Sequence, residues 1–308
     1  KYGRIILNPD NPDGVTITSI ERSQGTPVYT GKMEIKACDE GLVLVNDLYL
    51  EDYLTRVVPS EMPPSYEKEA LKAQAIIART YICRQMEASG EGDEIAESAL
   101  DMDYVEADQL KKLWGSSQFP EYYKKLEDAV KATSGIVMTY EGKCIDPMYC
   151  RATAGMTRQG DFTHPYLQTV DCPGDVETEG YMQILSFSRE SFVSDINSIP
   201  AGESGPRTVE ASQVPDTIQI VSRDDAGYVD TVQIGSAGYT GEEVQYALGL
   251  ASSCFVLEPY EDEIRAVVKG IGHGYGLSQA TANEKAKEGW KAEDILGYFY
   301  KNIAFISE

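Results

Sequence analysis

The sequence predicts an α+β fold in which largely antiparallel strands are mixed with a small number of well-separated helices. Residues 15–58 contain short β-branched and apolar runs. Gly, Pro, Asn and Asp separate these runs, as in strands joined by tight turns. A segment with helical spacing follows at 67–87, and later strands and helices do not alternate as regular βαβ units. We therefore expect antiparallel regions, a long central helix, two C-terminal helices and a cleft between subregions.

The first strands are expected in four runs of the N-terminal region. These runs are Val15–Ile20, Val28–Tyr29, Met33–Ile35 and Leu42–Val45.

The long helix is the clearest element in the sequence. Pro63 and Pro64 close the strand region, and Ser65 is the expected N-cap. Glu67 lies in the first turn, where the helix dipole favours a carboxylate, and the helix is expected to run to about Glu87. Its apolar residues recur at helical spacing, namely Leu71, Ala75, Ala78 and Ile82.

The rest of the chain has weaker signals. Residues 88–118 are acidic and predict a loop with short helical pieces, and residues 126–134 predict a helix ending at Gly135. Residues 136–140 and 148–150 flank the turn at 141–142 and predict a hairpin. Further strands are expected at 217–221, 229–234 and 264–268, and helices at 278–288 (with Gly289 as C-cap) and 292–300.

Charge and cysteine content exclude several function classes. The 308 residues carry a formal net charge of −23, spread along the chain, so we expect no nucleic-acid partner. The six cysteines contain no CxxC pair and give a structural zinc site little support. Buried thiols are the expectation, although one disulfide is permitted outside the cytoplasm, and Cys144 and Cys150 are the closest pair in sequence.

Glu61 is the best candidate for acid–base chemistry. It lies in the segment YLTRVVPSEM, among apolar neighbours rather than in a charged run, and we place it between a strand and the long helix. Apolar surroundings favour the neutral form of a carboxyl group, as a general acid requires. The alternative is a solvated glutamate in a turn.

Polar side chains on the long helix are the next candidates. Gln74 and Tyr81 are seven residues apart and share one face, whereas Arg79 lies elsewhere on the cylinder. They could line a cleft, or they could be the exposed side of the helix.

The segment KGIGHGYGLSQ, residues 269–279, places glycine at every second position between a strand and a helix. It does not fit the GxGxxG dinucleotide fingerprint, because the third glycine would fall on Tyr275 or Leu277. The pattern instead indicates backbone that is closely approached or that adopts glycine-only conformations. His273, within this loop, is either a ligand-binding or a packed structural histidine.

Three ordered segments resemble the SpoIID and LytB family of sporulation and cell-wall proteins. They are residues 50–82 (LEDYLTRVVPSEMPPSYEKEALKAQAIIARTYI), 246–255 (YALGLASSCF) and 270–300 (GIGHGYGLSQATANEKAKEGWKAEDILGYFY). The similarity spans about residues 28–303. It implies an N-terminal β-rich segment over 1–46 followed by a catalytic domain over 47–308.

The resemblance implies a lytic transglycosylase that cleaves the MurNAc–GlcNAc bond of peptide-stripped glycan strands without a cofactor. Glu61 corresponds to the essential glutamate of the family's SEM motif. Substrate binding is implied for Gln74, Arg79 and Tyr81 on the long helix and for Thr153, His273, Ser278 and Gln279 later in the chain. Peptidoglycan strands, and an amidase or other sporulation envelope proteins, are the implied partners. The implied location is outside the cytoplasm, through a leader or anchor preceding Lys1.

Two segments depart from the family pattern. Some members bind zinc through Cys and His residues after the long helix, but residues 99–113 here offer only acidic ligands, so we expect no metal. Those acidic residues are Asp101, Asp103, Glu106 and Asp108. The family's HSTSGG loop reads RATAGM here, at 151–156, which makes the contribution of Thr153 less secure.

Two other functions remain open from the sequence. The fold could hold glycan or enhance an amidase without cleaving anything, or it could be a structural scaffold of the sporulation envelope. Release of anhydro-sugars and binding to glycan strands distinguish the three.

Overall fold

The structure is a computed structural model that describes residues 4–7, 14–20, 26, 28–39, 41–89, 94–96, 100, 102–200 and 207–307. Within them the fold is α+β with antiparallel sheets, as the sequence predicts. Internal contacts divide the chain into two compact units. The first comprises residues 1–139, 143–145 and 305–308, and the second comprises 140–142 and 146–304. The predicted boundary at 46/47 stays a prediction.

The first unit begins with strands and continues with three helices. Its elements are β1 Arg4–Leu7, β2 Val15–Thr16, β3 Val28–Tyr29, β4 Lys32–Cys38, β5 Gly41–Asp47, α1 Leu50–Glu61, α2 Lys68–Ser89 and α3 Ala107–Ala132. Three of the strands form an antiparallel sheet in the order β1–β4–β5, and β2 pairs with β3 in antiparallel orientation.

Helix α1 corrects the prediction that Glu61 follows a strand. Residues 50–61 are helical, with Pro59 inside the helix and Glu61 as its last residue. Leu54, Val57 and Val58 are fully buried, so one apolar side of the helix supports its end. The run of valines resembles a strand locally, but burial against the rest of the unit stabilises the helix.

Helix α2 confirms the predicted long helix and forms the centre of the first unit. It begins at Lys68, and the N–H of Leu71 donates to the carbonyl of Glu67, so the helix starts after Glu67 rather than after Ser65. Ala70, Leu71, Ile76 and Ile77 have no exposed surface.

Helix α3 is much longer than the predicted helix over 126–134. It begins at Ala107 and is kinked at Gly115, whose φ of 77° is left-handed. The side chains of Glu106 and Gln109 form a capping box at its start. The predicted acidic loop therefore ends at residue 106, and Asp101 lies outside the described residues.

The predicted hairpin after α3 is half correct. β6 Ile136–Tyr140 turns at residues 141–142 into β7 Lys143–Cys144. Tyr149 and Cys150, the predicted second strand, form β8 and pair in parallel with residues 277–278.

The second unit contains two three-stranded antiparallel sheets and four helices among its described residues. The sheets have the orders β10–β11–β12 and β13–β14–β9. The elements are β9 Met182–Ser188, α4 Arg189–Asn197, β10 Ile218–Arg223, β11 Val229–Ile234, β12 Ala237–Thr240, α5 Gly241–Leu248, β13 Phe255–Tyr260, β14 Glu263–Lys269, β15 Leu277–Ser278, α6 Gln279–Lys287 and α7 Ala292–Phe299.

The core of the second unit packs both sheets against α4 and α5. Phe192 from α4 and Val244 from α5 contribute fully buried side chains, as do strand residues such as Val232, Phe255 and Ile264. The predicted strands at 217–221, 229–234 and 264–268 and both C-terminal helices are confirmed. The last strand, β16 Ala304–Ser307, lies beside β6.

Candidate active site

Glu61 lies at the carboxyl end of α1 and is partly exposed. Two prolines follow one residue later, and Met62, which is almost completely buried, adopts an extended conformation and ends the helix. The last turn of α1 presents the negative end of the helix dipole to this position. The site thus offers a carboxyl group that is held rigidly and reaches solvent.

Ser60 fixes the end of this helix. Its hydroxyl lies 2.7 Å from the carbonyl oxygens of both Val57 and Asp103 and 3.3 Å from the Glu61 carboxyl oxygen Oε1. The segment before α3 is thereby held beside Glu61.

Arg79 is a buried residue that joins several elements of the first unit. Its guanidinium donates to both carboxylate oxygens of Glu51, at 2.9 and 2.7 Å, and to the carbonyl of Ile136 at 3.1 Å. Only 1% of its side chain is exposed. Arg79 is thus placed to position α1, which carries Glu61, rather than to reach a ligand directly, and its implied role in substrate binding stays a prediction.

Glu51 is the partner of Arg79, and sequence reasoning missed it. Burial raises the pKa of Glu51, but the hydrogen bonds and charge of Arg79 outweigh burial and hold this pKa below its usual range. The N–H of Gly135 also donates to Glu51 at 3.2 Å. Both partners lie in the segment 50–82, but no local pattern pairs them, because 28 residues separate them.

The other two predicted residues of α2 differ in exposure. Gln74 is fully buried, whereas Tyr81 is partly exposed. Of the two, Tyr81 therefore has the surface to touch a ligand.

Cys83, in the second half of α2, forms a disulfide with Cys144 of β7. The expectation of buried thiols is therefore wrong for this pair, whereas Cys150 and Cys172 are buried thiols as expected. Burial raises the pKa of Cys172 to about 12, so this thiol is unreactive.

Among the described residues, one group of side chains has its ligand atoms close enough together to hold a metal ion. Cys83, Cys144 and Glu87 offer ligand atoms within 4.8 Å of one another. Disulfide formation consumes both thiolates, so soft-metal binding there requires reduction.

In the second unit, the loop around His273 has the glycine-only backbone that its sequence predicts. All four of its alternating glycines have positive φ values. A Cβ atom on Gly274 would lie 2.3 Å from the Tyr228 ring, and one on Gly276 would lie 1.8 Å from the carbonyl oxygen of Met148. Both conformation and close approach therefore exclude larger residues.

His273 is held as a neutral imidazole at the surface of this loop. Its Nδ1 accepts a hydrogen bond of 3.0 Å from the N–H of Tyr275. The residue is exposed overall, yet the protein around its ring desolvates the imidazole enough to lower its pKa. A hydrogen bond to the backbone of Tyr149 opposes this effect and is the weaker influence.

Arg158 contacts the His273 loop, and the sequence analysis did not identify this arginine. Its guanidinium lies 4.5 Å from the centroid of the Tyr275 ring and 5.0 Å from that of Tyr228. It pairs with Asp224 at 2.6 Å and Glu242 at 2.8 Å, and the backbone N–H of Arg158 donates to the carbonyl of Gly274 at 2.9 Å. The backbone of Arg158 and the contact of its guanidinium with the Tyr275 ring thus hold the loop, and the two partly exposed acidic partners fix the guanidinium.

Asp175 brings two of the predicted residues together. This carboxylate has no exposed surface and accepts hydrogen bonds from the Thr153 N–H and hydroxyl at 2.6 and 2.8 Å. It also accepts from the hydroxyls of Ser278 and Thr281, both at 2.7 Å. Thr153 and Ser278 therefore face a buried carboxylate, and Gln279 beside them is also buried.

Asp175 was not predicted because it lies in a 3₁₀ helix, Pro173–Glu177, inside a stretch without periodicity. Ser278 has a second role as the N-cap of α6, where its side chain accepts from the N–H of Thr281.

Comparison with known proteins tests the resemblance. The sequence profile of the SpoIID family, described as stage II sporulation protein, matches residues 38–140. The chain is 33% identical to stage II sporulation protein D of Bacillus amyloliquefaciens, over 84% of this chain and 74% of that protein. The chain belongs to the SpoIID family. Its identity to stage II sporulation protein D of Bacillus subtilis is 32%, over 83% of this chain and 74% of that protein.

A more distant relative is the amidase enhancer of Bacillus subtilis. It is 23% identical over 82% of this chain but only 40% of its own length. Within the described part of the chain, we find no helix with the length and apolar character that a membrane span needs.

Proposed function

We propose that this SpoIID-family chain is a lytic transglycosylase that cleaves peptide-stripped glycan strands in sporulation or cell-wall remodelling. The observation that supports the proposal is the position of Glu61, a partly exposed carboxyl group at the end of a helix whose apolar side is buried. General acid catalysis requires a proton held at a fixed place, and this position supplies it.

One residue suffices for both steps of this reaction. Glu61 donates its proton to the glycosidic oxygen between MurNAc and GlcNAc, and the bond from that oxygen to the MurNAc C1 breaks. The resulting Glu61 carboxylate then takes the proton of the C6 hydroxyl of the same MurNAc while its oxygen bonds to C1 and closes the 1,6-anhydro ring. No water is consumed, so the paired carboxylates of ordinary glycosidases are not needed.

The remaining residues have supporting roles in this proposal. Arg79 and Glu51 position α1, and Tyr81 offers a partly exposed side chain for the strand. His273 is neutral near pH 7, which suits hydrogen bonding to sugar hydroxyls rather than to a charged group.

The proposed location is outside the cytoplasm. The disulfide between Cys83 and Cys144 supports it, because such bonds persist mainly in oxidising compartments. An amidase or another envelope protein is the proposed protein partner.

Product analysis tests the proposed reaction. Purified protein is incubated with denuded glycan strands, and the fragments are examined by mass spectrometry. Non-reducing products ending in 1,6-anhydro-MurNAc support the proposal. Products with reducing ends, formed by addition of water, would show a hydrolase instead.

A non-catalytic glycan-binding or amidase-enhancing function is the second candidate. The similarity to the amidase enhancer favours it. Tight binding of strands without any cleavage, together with faster digestion by an added amidase, would establish this function in place of the first.

A further inference from the structure

The first unit contains a cavity of about 650 Å³ beside the beginning of α1. Arg56, Tyr104 and Tyr123 line it together with the exposed residues Asp52 and Glu127. Arg56 is on the same helix as Glu61 and five residues before it, which is about 7.5 Å along the helix axis. The same five residues turn the helix by about 500°, so the two side chains leave it about 140° apart, and a polymeric substrate reaches both by passing around the helix.

Arg56 gives the cavity a specific chemical character. Its nitrogen Nη1 is buried, and no described residue provides a hydrogen-bond acceptor for it. A buried donor without an acceptor is costly, so this atom points to a ligand that supplies one. A guanidinium offers a planar pair of donors that matches a carboxylate, and charge strengthens the resulting hydrogen bonds.

The backbone and ring contacts of Arg56 hold it in place. Its carbonyl accepts from the N–H of Val105 at 3.1 Å, and its guanidinium lies 5.4 Å from the centroid of the Tyr123 ring. Lys32, the other cation of the cavity, is paired with Asp47 at 3.0 Å. Glu106 interacts with Arg56 by charge, yet its oxygen Oε1, like Nη1 of Arg56, is buried without a hydrogen-bond partner among the described residues. Arg56 therefore keeps an unsatisfied donor for an anion.

The remaining lining fits a sugar ring. Tyr104 and Tyr123 present aromatic surface, and Tyr49 at the cavity is 83% exposed. Such rings bury the apolar face of a ligand, and the hydroxyl of Tyr104 is held by a hydrogen bond with the side chain of Thr30. Burial raises the pKa of Tyr104, so its phenol stays neutral. The carboxylates of Asp52 and Glu127 are exposed and can accept from sugar hydroxyls.

We propose that this cavity binds a muramic acid unit whose lactyl carboxylate is free, with Arg56 as the residue that recognises the carboxylate. The proposal rests on the proposed function, since it names a subsite for the same strand. A peptide-stripped strand carries this free carboxylate, whereas a strand with its peptides has a neutral amide at the same position. The cavity therefore selects stripped strands by charge.

The experiment compares two fluorescently labelled probes that differ only in this charge. One is a denuded glycan strand, and the other is the same strand with its lactyl carboxylates converted to methylamides. Binding is measured by anisotropy with the full chain carrying Glu61→Gln, so that the strands stay intact. The neutralised strand is expected to bind at least about 10-fold more weakly, the usual scale of a charge-assisted hydrogen bond.

Variants of Arg56 test whether this residue causes the preference for the charged strand. Arg56→Ala should weaken binding of the denuded strand by about the same factor and make the two probes equivalent. Arg56→Lys, which keeps the charge but loses the planar fork, should retain part of the preference and guards against a folding defect. Lys111→Ala removes one positive charge from an exposed site of the same unit outside the cavity and should leave the preference unchanged.

Two outcomes would overturn the inference. If both probes bind equally well to the chain with Arg56 intact, or if the preference survives in a folded Arg56→Ala variant, the cavity does not recognise the carboxylate. Cleavage by the chain with Glu61 intact is scored separately, so either result leaves the proposed transglycosylase reaction standing. Loss of cleavage activity with an intact charge preference would instead reject the proposed reaction and keep the subsite.

Discussion

At the scale of single residues, two carboxyl groups of this chain show how environment separates structural from chemical roles. Asp175 is fully buried and accepts four hydrogen bonds, so its oxygens have no capacity left for a substrate. Glu61 reaches solvent at the end of a helix. The sequence motif identified Glu61, whereas Asp175 was missed because its partners are 22 to 106 residues away.

Replacement of Asp175 should destabilise the second unit. Asp175→Ala leaves buried donors on Thr153, Ser278 and Thr281 without an acceptor, and such a loss costs at least about 3 kcal/mol of unfolding free energy. Urea unfolding followed by circular dichroism measures the change. Asp216→Ala, at an exposed position of the same unit, is the control. Equal stability of the two variants would contradict the buried network.

The protonation of His273 gives a second test at this scale. Desolvation lowers its pKa, so the imidazole should titrate below about 6.5, the ordinary value for histidine. The folded state then resists protonation more than the unfolded chain does, so His273 lowers stability as the pH falls from about 6.5 through its folded pKa. The chain has two histidines, so NMR of the wild type and of His164→Gln assigns the signals. A midpoint above 6.5 would contradict this geometry.

At the scale of elements, local sequence patterns predicted the isolated helices best. Helix α2 and the two C-terminal helices have clear helical spacing and were predicted within a few residues. Helix α1 was predicted as a strand because its valines carry β propensity, and burial overrides that propensity. Strand β8 pairs with residues more than a hundred positions away, a partner that no local turn signal reveals.

The ion pair of Arg79 and Glu51 joins α2 to α1. Arg79→Ala should cost about 3 to 5 kcal/mol of unfolding free energy, because it leaves Glu51 without its partner and opens a fully buried site. Thermal and urea unfolding measure the loss, with Lys112→Ala as an exposed control. A change below about 1 kcal/mol would show that the pair does not hold the helices together.

The same pair has a pH signature. Because Arg79 lowers the pKa of Glu51 in the folded state, the pair stabilises the protein above the ordinary pKa of glutamate. This contribution is lost as the pH falls through the lowered pKa. Glu51→Gln should therefore be less stable than wild type near pH 7, and the two stabilities should converge in acid. A constant difference at all pH values would contradict this account.

The metal content of the purified protein tests the expectation that the acidic segment after α2 binds no zinc. Asp103, Glu106 and Asp108 are hard oxygen ligands, and Cys83 and Cys144 are joined in a disulfide, so dialysed oxidised protein should contain no stoichiometric zinc. Elemental analysis measures it. One zinc per chain in the oxidised protein would contradict the expectation, whereas zinc uptake only after reduction would locate the ion at Cys83, Glu87 and Cys144.

At the scale of the whole molecule, the predicted site residues are divided between the two units. Glu61, Gln74, Arg79 and Tyr81 belong to the first, and the residues around His273 belong to the second. The sequence identified these positions through the segments 50–82 and 270–300, but not the partners that hold them. Arg158 and Asp175 lie outside both segments, and Glu51 lies in the first without a signal that pairs it with Arg79.

The central claim is that Glu61 transfers the proton in glycan cleavage, and the Glu61→Gln variant tests it most directly. Glutamine keeps the size of the side chain but cannot donate an acidic proton, so binding should persist while the transition state loses its acid. Glu121→Gln, at an exposed position of the same unit, is the matched control. Anhydro-MurNAc release from denuded strands and thermal melting are measured on the same preparations.

The account predicts that Glu61→Gln melts like the wild type and releases anhydro-MurNAc about 10⁴-fold more slowly, at the upper end for general acid catalysis. Glu121→Gln should retain the wild-type rate. A well-folded Glu61→Gln variant that still releases anhydro-MurNAc at near the wild-type rate would contradict the account and remove Glu61 from the mechanism.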